Sequence, residues 1–292
     1  MLFIAQLING LQLGSIYALV ALGYTMVYGI IRLLNFAHGE VLMIGGYIAL
    51  WTLVGGVDPW LVIIATILGC TLLAVIMEKL TYKPLRNAPR LSILITAIGI
   101  SMLLQNLAQY FWGAAGVSFP AHQLLVAENI NIGGVNISNV SIITIAASIF
   151  SMIVLTFLVR STKLGKAMRA VSQDADAARL MGVNVNTVIT FTFAVGAALA
   201  GVGAVLYALR FPWITPTIGG MLGLKSFVAA IVGGVGSIPG AMIGGYVIGL
   251  LEVMVVAAGM SGWADGIVFL LLIVVLMFKP TGIMGQNIME KV

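Results

Sequence analysis

An all-α, polytopic membrane fold follows from three properties of the sequence: its composition, the length of its apolar runs and the placement of its charges. Of 292 residues, 61% are hydrophobic and only 8% are charged, with a mean hydropathy of +1.14. A soluble protein averages about 45–50% apolar and about 25% charged residues. No water-soluble fold of this size hides so much apolar surface, so the bilayer is the solvent for most of it. The runs are long and continuous rather than alternating, which argues against an outer-membrane barrel. Nine of the 14 Lys and Arg residues sit in two short loops, at 79–90 and 160–182. Helical membrane topology accounts for that clustering, so the net charge of +5 needs no nucleic acid partner.

Apolar segments at about 3–31, 41–56, 60–79, 91–112, 140–159, 186–209, 227–257 and 262–278 predict about eight spans. Each has to cover ~30 Å of hydrocarbon at ~1.5 Å per helical residue. The first segment has no basic n-region and exceeds a signal-peptide core, so it reads as a retained span. RLLNFAHGE, Arg32 to Glu40, ends it and starts the second. Pro84 and Pro89 prevent continuous helix in the loop that carries Lys79, Lys83, Arg86 and Arg90. Glu78 and Lys79 mark a span end. The 113–139 connection has Glu128 as its sole formal charge, which places it outside and the two basic loops in the cytoplasm. Within 227–257, the run GGVGSIPGAMIGG predicts a broken or re-entrant helix. Such backbone survives in a membrane only where protein or a water-filled cavity surrounds it. The parity of spans stays open, with Lys279 and Lys291 pointing towards a cytoplasmic C-terminus. Trp60, Trp112, Trp213 and Trp263 fall at span ends, as interfacial anchors do.

Small residues four apart, at Gly236/Gly240, Gly240/Gly244, Gly245/Gly249 and Gly196/Ala200, predict close helix packing. MIGGY occurs twice, at Met43–Tyr47 and Met242–Tyr246, each time after a break. That is either an internal repeat of the transporter kind or a coincidence in a chain rich in Gly and Met. Glu252 lies inside an apolar run, a functional position by default unless it packs against a partner or an interface. Cys70 is the only cysteine, and His38 and His122 are far apart, so no metal-ligand spacing is present.

The segment LGKAMRAVSQDADAARLMG, Leu164 to Gly182, concentrates charge in an otherwise apolar chain. Lys163 to Val171 reads as one short helix. Asp174 then starts a second, with acids in its first turn, Arg179 in its last and Gly182 as its left-handed stop. Such a capped pair on the cytoplasmic face fits a docking element; the plainer reading is a solvated loop that only anchors topology.

Three blocks carry a family resemblance: NGLQLGSIYALVALGYTMVYGIIRLLNFAHGEVLMIGGYIA, GKAMRAVSQDADAARLMGVNVNTVITFTFAVGAALAGVGAVLYA and SFVAAIVGGVGSIPGAMIGGYVIGLLE. They resemble the branched-chain amino acid ABC transporter permeases of the LivH type, over nearly the whole chain. The resemblance implies a single permease domain, 1–292, in a bacterial inner membrane. It also implies a second permease, two ATPase subunits that bind ATP, a periplasmic substrate-binding protein, and no cofactor on this chain. Gly165, Arg169, Ala170, Asp174, Ala177, Ala178, Leu180 and Gly182 match the family's ATPase-coupling motif position by position. Asn35, His38, Gly39 and Glu40, with Gly236 and Gly240, are candidates for the translocation path. The alternative for Asn35 and His38 is plain helix termination at the cytoplasmic surface.

Other function classes remain to be weighed. GLKS at 223–226 does not complete a nucleotide-binding G-x-x-x-x-G-K-[ST] loop, so ATP-driven transport needs a separate subunit. No paired acids or nucleophile–base set points to a membrane enzyme. A stand-alone secondary carrier, or an ABC permease for urea or short amides, is the alternative function.

Overall fold

The computed structural model describes residues 2–31, 35–86, 88–132 and 135–285; Arg32 of the first break and Lys291 lie outside them. In order, the chain forms α1 (Leu2–Ile31), α2 (His38–Val54), α3 (Pro59–Met77) with a π-helical turn at Glu78–Tyr82, and α4 (Arg90–Trp112). The connection that follows holds β1 (Val117–Ser118), a short α5 (Ala121–Leu124) and the hairpin β2 (Asn129–Ile132)–β3 (Val135–Ser138). Then come α6 (Asn139–Ser161), α7 (Lys163–Gln173), α8 (Ala175–Leu180), α9 (Val185–Arg210), β4 (Trp213–Ile214), α10 (Ile218–Gly233), α11 (Ile238–Ala257) and α12 (Ala264–Phe278).

Among the described residues, seven helices are long and apolar enough to cross a membrane, while α2 and α10 are apolar but shorter. The region 227–257, left open as one segment, is two helices: α10 begins earlier, at Ile218, and the break falls at Gly234–Ser237. The short helices are short because each starts inside the bundle. After α1, residues 35–37 lead into α2 with His38 already packed on Gly23, well back from the end of α1. After α9, Ile214 of β4 packs on Gly46 of α2, and α10 starts lower down, with Gly219 against Gly39. The basic loops, the α10–α11 turn and Lys279–Gly285 share one end of the bundle. There Gly236 approaches Gly29, and Ile283 and Met284 donate to the Val232 and Gly233 carbonyls at 2.9 Å. Phe119 N–H bonds to the Pro212 carbonyl (3.0 Å) at the opposite end, where β1 pairs with β4.

The helices α1–α4 and α9–α12 follow one plan with opposite chain direction. A long helix is followed by a non-helical entry, a short helix, a tight turn and a long apolar helix. The packing exchanges between the sets: α1 lies against α10 and α11, and α9 lies against α2 and α3. The tight turns also correspond. Gly56 (φ +78°) and Gly234 (φ +111°) take a left-handed conformation that side chains resist. Each is followed by a valine, Val57 or Val235, and a proline in the next first turn, Pro59 or Pro239. This is an inverted repeat of the transporter type. The two MIGGY copies fall in α2 and α11, which are not equivalent elements, so that pentapeptide match is coincidental.

The core is a seam of small residues centred on α1. A Cβ on Gly245 would lie 2.6 Å from the Cα of Ala18, and one on Gly14 would lie 2.8 Å from the Cα of Tyr246. Rising numbers on α1 meet falling numbers on α11, so the pair is antiparallel, at a separation only glycine allows. Gly196 of α9 packs on Gly23 of α1 in the same manner.

Two polar clusters and one aromatic stack go beyond the sequence reading. Glu78 is fully buried, paired with Arg86 and accepting from Thr190 Oγ1 at 2.8 Å, so it ties the π-turn to α9 rather than only ending a span. Trp112 stacks on Tyr47 at 4.2 Å between centroids, whereas Trp60, Trp213 and Trp263 are exposed as anchors are. Glu252 finds its partners within the chain. Lys225 Nζ bonds to Glu252 Oε1 (2.8 Å) and Asp265 Oδ1 (2.6 Å), and Tyr17 donates to Glu252 Oε2 (2.7 Å). The cluster clamps α1, α10, α11 and α12 together.

Two stability changes follow. Gly249→Val drives a side chain into Gly14 and Gly10. It should destabilise by about 1–3 kcal/mol or more, read as a lower unfolding temperature in detergent. Lys225→Met leaves Glu252 and Asp265 without their cation and should cost about 3 kcal/mol. The triple change Lys225→Met, Glu252→Gln, Asp265→Asn should recover most of that loss by the same measurement.

Candidate functional site

Two places combine accessibility or buried polarity with a fixed backbone. One is the α7–α8 pair at the basic end; the other is the crossing of α2 and α10 inside the bundle.

The α7–α8 pair is capped at each start, as its sequence predicts. Thr162 Oγ1 accepts from Gly165 N–H at 3.0 Å, and Asp174 Oδ1 accepts from the Asp176 and Ala177 amides, both at 2.9 Å. Asp174 closes α7 as well, its own N–H reaching the Ala170 carbonyl at 3.1 Å. Gly165 is buried because α7 folds directly back onto the last turn of α6, where a Cβ would strike the Leu158 and Val159 carbonyls. The Arg169 guanidinium donates to that same Val159 carbonyl, a group left free at a helix C-terminus. Met168, Val171 and Ala178 are buried beneath the pair, and Ala170 is half-buried. The alanines therefore split their work: Ala178 seats α8 on the bundle, and Ala177 lies exposed.

Gly182 adopts φ +84° as the predicted left-handed stop. Among the charged side chains this scaffold presents outward stands one apolar pair. Leu180 is 89% and Met181 84% exposed, beside an exposed Arg179–Asp176 pair at 3.4 Å. Leu180 belongs to the motif read from sequence; Met181 does not, although its place beside Gly182 at the helix end was a signal for it. This exposed apolar pair on the charged end is the candidate contact surface of the scaffold.

At the crossing, Asn35, His38, Gly39 and Glu40 come together and all are buried. The surface-termination reading of Asn35 and His38 is thus replaced: the start of α2 lies inside the protein. Asn35 Oδ1 accepts from Tyr82 at 2.7 Å, and the His38 ring meets Tyr24 edge-on at 5.0 Å. Glu40 Oε1 accepts from Ser101 of α4 at 3.1 Å, while Glu40 Oε2 and His38 Nε2 are buried without a hydrogen-bond partner. Neither Tyr82 nor Ser101 was visible as a site residue, since each meets its partner only through the tertiary fold.

Gly236 and Gly240 lie apart from this crossing, in the α10–α11 hairpin. Gly236 has φ +90° in its turn, and Gly240 packs on Gly233.

Comparison with known proteins identifies relatives over nearly the whole chain. The high-affinity branched-chain amino acid transport system permease proteins LivH of Salmonella typhimurium and of Escherichia coli are each 41% identical to this chain. The alignments run over 302 residues, covering 99% of this chain and 98% of each relative. BraD of Pseudomonas aeruginosa, a permease protein of the same description, is 41% identical over 304 residues with the same coverage. Residues 6–277 match the family described as branched-chain amino acid transport system / permease component, and the chain belongs to that family.

Proposed function

We propose that this chain is the transmembrane permease subunit of an ABC importer for branched-chain or related small amino acids. It sits in the inner membrane as one permease domain and shares the translocation path with a second permease. Two separate ATPase subunits bind ATP, and a periplasmic binding protein delivers the cargo. The basic end faces the cytoplasm, so α7 and α8 meet the ATPases and the β1–β4 end meets the binding protein. The path runs through the α2–α10 crossing, lined by Asn35, His38, Gly39 and Glu40.

The observation that carries this reading is the exposed Leu180–Met181 pair on a scaffold capped at Thr162 and Asp174 and braced on α6 through Gly165 and Arg169. A topological anchor needs only its basic residues. A rigid apolar knob suits insertion into a groove on a moving partner, whose closure then shifts α6 and α9 as bodies. The alternative of a secondary carrier draws less support, because such carriers keep ionisable groups mid-membrane for ion coupling. Here Lys225, Glu252 and Asp265 are taken up with one another, and among the described residues Glu40 is the one buried acid without a cation.

The test is Leu180→Asp in the assembled complex. It should weaken ATPase-subunit association at least tenfold, about 1.4 kcal/mol, and abolish ATP-driven amino acid uptake in proteoliposomes. Its exposed position should leave the unfolding temperature unchanged. Uptake by the isolated chain, with no ATPase present, would instead establish the carrier.

A further inference from the structure

Two helices begin at the α2–α10 crossing, and neither start is capped by a side chain: Ala37 precedes α2 and Thr217 precedes α10, without a cap hydrogen bond in either case. Their first turns touch. A Cβ on Gly39 would lie 2.7 Å from the Cα of Gly223, and one on Gly219 would lie 2.7 Å from the Glu40 carboxyl carbon. Glu40 thus stands in the first turn of its own helix and against the first turn of α10. The free amides of a helix start, with its dipole, make a site for an anion.

Glu40 is 1% exposed, and among the described residues no Lys, Arg or His lies within ion-pair distance of it. Its Oε1 has Ser101, and its Oε2 is directed at Gly219 with no hydrogen-bond partner among the described residues. An intramembrane acid left unpaired in this way is costly and is a functional position by default. Beside it, Tyr24, Phe36, His38 and Phe227 form a continuous aromatic cluster, with centroid separations of 5.0–5.8 Å.

We infer that this crossing is a transient site for the zwitterionic head group of the amino acid cargo. Glu40 takes the α-ammonium group, and the two helix starts, parted from each other, take the α-carboxylate. The aromatic cluster offers the apolar surface that an aliphatic side chain needs. In the structure described here the crossing is shut, with the Glu40 carboxylate occupying the place where the cargo's carboxylate would go. The inference deepens the proposed function and rests on the amino acid importer reading.

The test compares wild type, Glu40→Gln and Glu40→Asp in the complete complex in proteoliposomes, with leucine supplied by the binding protein. Wild type must import leucine on ATP; if it does not, the importer reading itself falls and this inference with it. With that established, Glu40→Gln should lower uptake by at least roughly 30-fold, the cost of losing one partner of a buried charge pair. Its unfolding temperature should stay as in wild type, which separates loss of a cargo contact from loss of the fold. Glu40→Asp, which keeps the charge, should recover most of the uptake. A Glu40→Gln complex that imports at close to the wild-type rate overturns the inference, because a protonated structural glutamate tolerates its neutral isostere. So does one that loses stability together with uptake, or a Glu40→Asp complex as inactive as Glu40→Gln.

Discussion

The close approach of α1 to α11 and α9 is the constraint on which the other features depend. In lipid, apolar side chains gain nothing by leaving one apolar medium for another, so helices associate through packing and backbone proximity. Gly14, Gly245 and Gly249 on the α1–α11 seam, and Gly23 with Gly196 on the α1–α9 seam, remove the side chains that would hold the backbones apart. That proximity makes α1 a buried axle, flanked on one side by α10 and α11 and on the other by α9. Only around such an axle can α2 and α10 start deep in the protein, because their irregular entries need protein on every side.

The inverted repeat then decides what meets at the centre. Each half supplies one short helix, and the two begin against one another at Gly39, Gly219 and Gly223. The inverted arrangement brings two positive starts together, and the acidic residue of the crossing, Glu40, lies between them. The ionic clamp of Lys225, Glu252, Asp265 and Tyr17 does the opposite task on the same helices, satisfying its own charges and holding α10, α11 and α12 to α1.

Much of this was legible in the sequence, for identifiable reasons. Long apolar runs and clustered basic residues specify spans and sides because hydrocarbon thickness and topology act on local composition. The α7–α8 pair was legible because caps at Asp174 and Gly182 are local chemistry. The start of α10 at Ile218 was not, since the entry over 211–217 looks like a loop until β4 is paired with β1. The partner of Glu252 was hidden for a related reason: Lys225 sits inside GLKS, a fragment that invites comparison with phosphate loops and points away from a mid-membrane ion pair. The true repeat signal, a left-handed glycine with valine and then proline, is weaker than the coincidental MIGGY because it rests on backbone conformation. Met181, Tyr82 and Ser101 acquire meaning only through exposure or contact.

On the proposed function, the two sites have to act as one, and the packing between them is continuous. Gly165 and Arg169 fix α7 to the end of α6, and Ala178 seats α8 beneath the start of α9. Further along α9, Gly196 touches Gly23 of α1, and Gly23 is where the His38 ring lies. Glu78 adds a second tie, joining α9 at Thr190 to the π-turn, whose Tyr82 holds Asn35. Contiguity alone does not transmit force; a route needs an element with two discrete arrangements. On the proposed function, the crossing of α2 and α10 is that element. It is closed by contacts between glycines, which have no side chains to interlock, and it contains two buried polar atoms, Glu40 Oε2 and His38 Nε2, that the closed arrangement leaves unsatisfied. On the same reading, opening it parts glycine backbones and uncovers the Tyr24, Phe36 and Phe227 rings to the cargo, so packing around the crossing holds the closed state. A small rigid shift of α9, delivered from α8, is therefore well placed to tip it.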